Sequence, residues 1–184
     1  MQLGLPEKGA ERKEKLPGCY REKDFEQRKD EVRMNIDWKR PDFVKGTDKP
    51  QTLDMIALDV ICEGYADSKA DAVKYIRQRV PAESWYQANI MKEIKKRAAA
   101  EHMQIVIWKA AQGPYSRRGV SDIIALIGGV MLAIEVKRPL FGEPSDLQRA
   151  FVRDVNQCGG VAGFCTYPED VAPLWSILLS KVSR

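Results

Sequence analysis

The sequence predicts an α/β fold in which a mixed β-sheet is flanked by helices and preceded by a helical extension. Strand-like apolar runs occur four times in the second half of the chain, at residues 103–109, 122–126, 131–137 and 161–167. Stretches with helical spacing lie among them, at 82–100 and 145–158, and two shorter ones lie upstream, between residues 52 and 80. Alternating strand-like and helical segments predict helices layered on a sheet.

The composition is that of a folded protein without a membrane anchor. The 184 residues are 44% hydrophobic and 30% charged, with a net charge of +4. No apolar run approaches the roughly 20 residues that span a bilayer, and the amino terminus lacks the apolar stretch of a signal peptide. We therefore expect a cytoplasmic protein, with no membrane partner, that has one core and an appendage.

Histidine and cysteine are too sparse for much of the usual catalytic and metal chemistry. His102 is the only histidine, and the 4 cysteines show no CxxC spacing. The cysteines are Cys19, Cys62, Cys158 and Cys165. A zinc site and a Ser-His-Asp triad are therefore not expected, and the cysteines are predicted to be reduced thiols. Any catalysis should depend on carboxylates and lysine.

The first eighty residues divide into a charged arm and a helical hairpin. Residues 1–50 combine charge, proline and glycine with few aliphatic residues, and only Asp24–Ile36 has helical spacing. Residues 51–80 carry two short helical stretches on either side of Gly64. A capping element, a dimerisation surface and a DNA-facing wedge are all compatible with this hairpin. Residues 81–184 form the predicted main domain.

The helices of the main domain are predicted from spacing and end signals. The first, 82–100, carries Trp85, Ile90 and Ile94 at helical spacing. The next starts after Ser145, and a closing apolar helix is predicted at 174–179. The three tryptophans of this domain are predicted to be core residues rather than base-stacking platforms; they are Trp85, Trp108 and Trp175.

Two of the predicted strands form a hairpin whose register can be counted. They flank Gly128 and Gly129, a pair that readily adopts the positive φ values of a two-residue turn. If the residues flanking the glycines pair, counting back places Asp122 opposite Glu135. Directly opposed residues have Cβ atoms about 5 Å apart, where like charges are destabilising. A divalent cation would compensate, and Mg²⁺ takes carboxylate oxygens.

Lys137 completes a group that suits phosphodiester hydrolysis. It follows Glu135 by two residues, so strand periodicity puts both side chains on one face. The carboxylates would hold an ion that activates water, and the lysine would orient the nucleophile or steady the transition state. The alternative is a surface Glu-Lys ladder in which Asp122 only ends a turn. The apolar strand around Glu135 speaks against that alternative, because unpaired charge there is costly.

An ordered series of motifs runs through the same region. It comprises Gly119-Val120-Ser121-Asp122, then Glu135-Val136-Lys137, then Ser145 and Gln148 before an apolar helix and Gly159-Gly160. Across roughly residues 82–175, this series resembles the virus-type replication-repair nuclease family (VRR-NUC) of the PD-(D/E)xK superfamily. Ser121 stands where the superfamily name has proline, a departure that affects turn geometry more than metal binding.

The resemblance implies a restriction-endonuclease-like core and a metal-dependent reaction. Its expected activity is cleavage of DNA with Mg²⁺, for which Mn²⁺ can substitute. The expected substrates are often branched or flapped DNA, and stand-alone members of the family often act as dimers, so a homodimer is a further expectation.

Two more residues are candidates for the site. The resemblance implies an acidic residue from the helix before the first strand, and of Glu83, Gln87 and Glu93 we favour Glu83 as a metal ligand. A first-turn glutamate stabilised by the helix dipole is the alternative. Gln148 resembles a glutamine beside the metal site of the family. It also completes a capping box with Ser145, and the two interpretations are compatible.

Basic residues between 92 and 118 are candidates for nucleic-acid binding. Arg117 and Arg118 precede Gly119 and are predicted to contact the phosphate backbone. Lys109, at a strand end, is a candidate for the scissile phosphate, and a plain strand-end lysine is the alternative. Lys95 and Lys96 are further candidates, and a solvated helix face is their alternative.

The leading functional prediction is a metal-dependent deoxyribonuclease. The rival prediction is a catalytically silent nucleic-acid-binding or assembly module on the same fold, in which the amino-terminal helices carry the function. Three mutually costly charges on one strand face favour the enzyme. An RNA nuclease is a third interpretation that suits the same residues.

Overall fold

A computed structural model describes residues 36–42, 50–110 and 119–182. The predicted helix at Asp24–Ile36 lies outside these residues except for its last position, as do Arg117 and Arg118. None of the described helices is long and apolar enough to cross a membrane.

The predicted helical hairpin is present and is capped as its sequence indicates. Helix α1 spans Leu53–Cys62 and helix α2 spans Lys69–Arg79. The Thr52 hydroxyl accepts a hydrogen bond from the Met55 N–H at 3.3 Å, and Ser68 does the same for Asp71 at 3.2 Å. These side chains satisfy backbone N–H groups that a helix start leaves without partners.

The sheet is mixed and has the strand order β1-β2-β3-β4. The strands are β1 (Ile105–Lys109), β2 (Ile123–Ile127), β3 (Val130–Val136) and β4 (Val161–Cys165). The first three form an antiparallel meander, and β3 pairs with β4 in parallel. Helix α3 (Glu83–Ala100) precedes the sheet, α4 (Asp146–Gln157) connects β3 to β4, and α5 (Val171–Val182) closes the chain. The predicted α/β class with a mixed sheet flanked by helices is confirmed.

The end of β4 and the start of α5 differ from the prediction. The strand stops at Cys165 because the Asp170 carboxylate accepts hydrogen bonds from the N–H groups of Thr166 and Tyr167, both at 2.8 Å. These bonds begin a 3-10 turn that leads directly into α5. Pro173 lies in the first turn of α5, where its missing N–H costs no hydrogen bond, so the helix is longer than predicted.

Two apolar clusters lie on opposite faces of the sheet. The larger one joins the sheet to α1, α2, α3 and α5, and it includes Ile56 and Ile76 of the hairpin together with Tyr86 of α3. The smaller one lies under α4 and includes Ile124, Ala133 and Val155. The helical hairpin is therefore packed into the same core as the sheet.

The prediction that all three tryptophans are core residues is correct only for Trp175. Trp85 is 39% exposed and Trp108 is 47% exposed, whereas Trp175 is buried. The buried row of α3 is Tyr86, Ile90, Ile94 and Ala98, at four-residue spacing, which turns Trp85 away from the core. Trp108 lies on the edge strand β1, and α4 packs on β3 and β4.

Cys158 and Cys165 are free cysteines. Burial raises the pKa of the Cys165 thiol to about 12, and Cys158 is exposed at the end of α4. Because the thiolate is the reactive form, a thiol reagent should label Cys158 of the native protein and label Cys165 only after unfolding. Peptide mass spectrometry of timed labelling reactions measures this, with Cys158→Ser as control. Equal labelling rates for the two cysteines would contradict the burial of Cys165.

Candidate active site

The β2–β3 hairpin has the register counted from the sequence. Ile127 pairs with Val130, and the pairing continues to Ile123 and Ile134. Gly128 and Gly129 make the turn with φ values of 56° and 82°. Asp122 directly precedes β2, so the next position of this register lies opposite Glu135.

Asp122 is buried and held by the backbone of both neighbouring strands. Its Oδ2 atom accepts a hydrogen bond from the Val136 N–H at 2.9 Å. Its carbonyl oxygen accepts another from Ala110 N–H, just after β1, also at 2.9 Å. The carboxylate is thereby attached to the strand that carries Glu135.

Glu135 is a buried carboxylate with one satisfied and one unsatisfied oxygen. The residue is 1% exposed. Oε1 accepts hydrogen bonds from Lys137 Nζ at 2.8 Å and from Gln148 Nε2. Oε2 has no hydrogen-bond donor among the described residues. Burial raises the pKa of the Glu135 carboxyl, and the charge of Asp122 raises it further, while the Lys137 ammonium opposes the rise.

Lys137 continues the sheet beyond the end of β3. Its N–H donates to the Cys165 carbonyl at 2.9 Å, which keeps the alternation of side chains intact. The ammonium therefore lies on the Glu135 face, as predicted, and it is mostly shielded from solvent.

Gln148 serves the helix cap and the site at once. Its Oε1 accepts from the Ser145 N–H at 2.8 Å, and Ser145 caps the first turn of α4 in return. Its Nε2 donates to Glu135. One side chain therefore completes the helix cap and also contacts Glu135, because its amide has an acceptor end and a donor end.

Glu83 begins α3 and lies close to the same group. Burial raises the pKa of its carboxyl, and the charge of Asp122 adds to this effect, whereas Lys137 opposes it. The backbone N–H of Arg138 also opposes the rise of this pKa. Tertiary packing thus brings Glu83, the acidic residue predicted from the helix, near the residues of the β2–β3 hairpin.

Arg138 is the residue of this region that the sequence analysis missed. Its only signal is a second basic residue directly after Lys137, and such a pattern is equally typical of a solvated strand end.

The predicted basic residues lie farther from the carboxylates. Lys109 pairs with Ile123, so strand alternation turns its side chain to the face opposite Asp122. Lys95 and Lys96 are exposed on α3. With a rise of about 1.5 Å per residue, they lie roughly 18 Å or more along the helix from Glu83. The structure therefore brings none of these three lysines into the carboxylate group.

The carboxylates fit a magnesium ion by their chemistry. Within the described part of the chain, no group of three or more acidic, histidine or cysteine side chains is arranged to hold a metal, so Glu83 does not join Asp122 and Glu135 as a ready third ligand. Mg²⁺ usually takes one or two protein carboxylates and keeps several waters. The buried Glu135 Oε2 is an unsatisfied acceptor that a cation would satisfy.

Comparisons with protein-family models, with curated proteins and with solved structures found no match for this chain. Inferences about its activity therefore depend on its own residues and their geometry.

Proposed function

We propose that this chain is a metal-dependent nuclease that hydrolyses DNA phosphodiester bonds. The observation that carries the proposal is the buried Glu135, which has an unsatisfied oxygen and lies beside Asp122, Lys137 and Gln148. The mixed sheet flanked by helices supports the finer proposal of a restriction-endonuclease-like core of the VRR-NUC type.

Asp122 and Glu135 are the residues that would hold Mg²⁺ or Mn²⁺. When bound there, the ion would lower the pKa of a water molecule and neutralise phosphate charge. Gln148 and Lys137 both donate to Glu135 Oε1, which fixes the carboxylate. Oε2 is then the oxygen that would bind the metal ion. The Val136 N–H fixes Asp122 in the same way.

Lys137 donates to Glu135 and is proposed to act on the reacting groups. Its ammonium has three donors, and Glu135 takes one of them. The others are suited to orient an attacking water or to steady negative charge on a phosphate oxygen in the transition state. Glu83 also interacts electrostatically with this lysine.

An exposed apolar strip on the same sheet face is proposed to receive an unpaired strand. Val106 pairs with Leu126 and Trp108 pairs with Ile124, so the exposed Val106, Leu126 and Trp108 share the face of Asp122. Bases stack on exposed aromatic rings without regard to sequence. This placement favours single-stranded or flapped DNA over plain duplex.

Trp108→Ala is expected to weaken binding of a labelled single-stranded oligonucleotide about tenfold, because one stacked base is lost. Duplex binding should change much less, and Trp108→Phe should keep most of the affinity. Fluorescence anisotropy with EDTA present measures binding without cleavage. Ile177→Ala is the control, since Ile177 is an exposed apolar residue of α5. Unchanged single-strand binding by Trp108→Ala would remove the strip from the proposal.

The central test uses purified protein and a panel of nucleic acids. Single-stranded, duplex, flapped and four-way DNA, together with single-stranded RNA, are incubated with Mg²⁺, with Mn²⁺ and with EDTA. We expect DNA cleavage with either metal and none with EDTA. Binding without cleavage under all conditions would support the silent module instead. Light scattering of the same samples tests the proposed homodimer.

A further inference from the structure

The Arg138 side chain joins the end of β3 to the helical hairpin. Its Nε donates to the Pro81 carbonyl at 2.8 Å. Its Nη2 donates to the carbonyls of Arg77 and Val80. These three carbonyls belong to the last turn of α2 and to the link between α2 and α3.

Helix chemistry explains why an arginine suits this place. The last carbonyls of a helix have no intrahelical N–H partner and form the negative end of its dipole. A guanidinium offers several donors in a fixed plane, so it can bind carbonyls from two directions at once. The Phe141 ring adds to the contact, because Arg138 and Arg77 both lie over it, with their Cζ atoms 5.0 and 4.5 Å from its centroid.

The same residue also holds the chain just before Glu83. Its side chain binds the Pro81 carbonyl, two residues before Glu83, and its backbone N–H lowers the pKa of the Glu83 carboxyl. Arg138 also follows Lys137 in the chain. One residue therefore connects the start of α3 to the strand end that carries Glu135 and Lys137.

We propose that Arg138 is a positioning residue that holds Glu83 near Asp122 and Lys137, and that the helical hairpin supports the active site by supplying carbonyls that Arg138 binds. This inference rests on the proposed nuclease function. Residues 51–80 are then part of the catalytic machinery's support rather than a separate capping, dimerising or DNA-wedging module.

A double-mutant cycle on cleavage tests the connection to Glu83. Arg138→Ala and Glu83→Gln should each lower kcat roughly 10- to 100-fold, as loss of a residue that orients a metal site does, with little change in KM. The double variant should be no slower than Glu83→Gln alone, because residues that act through each other are not additive. Arg138→Lys should rescue little, since a lysine cannot span the three carbonyls.

The matched control is Arg79→Ala. Arg79 lies at the same end of α2 and donates to the Tyr75 carbonyl, within its own helix. It should cleave within about twofold of the unaltered protein. Multiplicative losses in the double variant, or an equal loss in Arg79→Ala, would overturn the role of Arg138 in positioning Glu83.

Hydrogen exchange tests the contact without any need for activity. In Arg138→Ala, amides of the α2–α3 link and the first turn of α3 should exchange at least about tenfold faster, while those of β4 should not change. Unchanged exchange at the link would overturn the inference. If the unaltered protein cuts no substrate while Arg138→Ala still loosens the link, the proposed nuclease function fails. The role of Arg138 in joining the α2–α3 link to β3 then still stands.

Discussion

Glu135→Ala is expected to lower the rate of metal-dependent DNA cleavage roughly a hundredfold or more. This is at least the effect of removing one charge-stabilising group from the active site of other enzymes. The change removes the buried carboxylate to which both Lys137 and Gln148 donate, together with the unsatisfied Oε2. DNA binding should remain largely intact, because the proposed contacts with phosphate and bases belong to other residues. Single-turnover cleavage with Mg²⁺ and anisotropy with EDTA measure the two properties separately.

Glu101→Ala is the matched control, since Glu101 is exposed just after α3. Glu135→Gln adds a second comparison, because it keeps the shape of the side chain and removes its charge. Since Asp122 and burial both disfavour a charged Glu135, Glu135→Gln in EDTA should unfold at the same urea concentration as the unaltered protein or a higher one, yet remain inactive. Full cleavage activity in Glu135→Ala would show that another residue holds the metal.

Gly119→Ala is expected to destabilise the protein much more than Gly129→Ala, although both glycines have nearly the same φ. The values are +81° at Gly119 and +82° at Gly129. A Cβ at Gly129 would meet nothing within 4 Å, whereas one at Gly119 would lie 2.8 Å from both the Cβ and the carbonyl oxygen of Leu147. Gly129→Ala therefore has only the left-handed backbone cost of about 1–2 kcal/mol. Gly119→Ala has the same cost and in addition displaces α4.

We therefore expect Gly119→Ala to lower the free energy of unfolding by about 2–4 kcal/mol in urea titrations. Cleavage should also fall, because Leu147 precedes Gln148 and Gly119 leads into Asp122, so the displacement separates the two sides of the site. Gly129→Ala should leave cleavage unchanged. Equal losses of stability in the two variants would show that the contact between Gly119 and α4 is unimportant.

Features set by neighbouring residues were readable from the sequence. The turn at Gly128 and Gly129 determines the hairpin register locally, and two-residue periodicity then carries it to Asp122 and Glu135. The caps at Ser68 and Ser145 are also local, since each hydroxyl reaches an N–H three residues later. The elements and the centre of the candidate site could be predicted for this reason.

Tertiary packing decided the rest, because it joins residues that are far apart in the chain. Glu83 approaches the β2–β3 hairpin only because α3 packs on the sheet. The carbonyls to which Arg138 donates lie 57 to 61 residues away in the chain. Trp108 is exposed because α4 covers β3 and β4, a choice that the alternation within β1 does not encode. By itself, the sequence determined which two carboxylates face each other, since short-range geometry suffices for that. Only the tertiary structure decided which helix supports these carboxylates and which part of the sheet stays exposed. Both depend on how the helices and strands pack around one core.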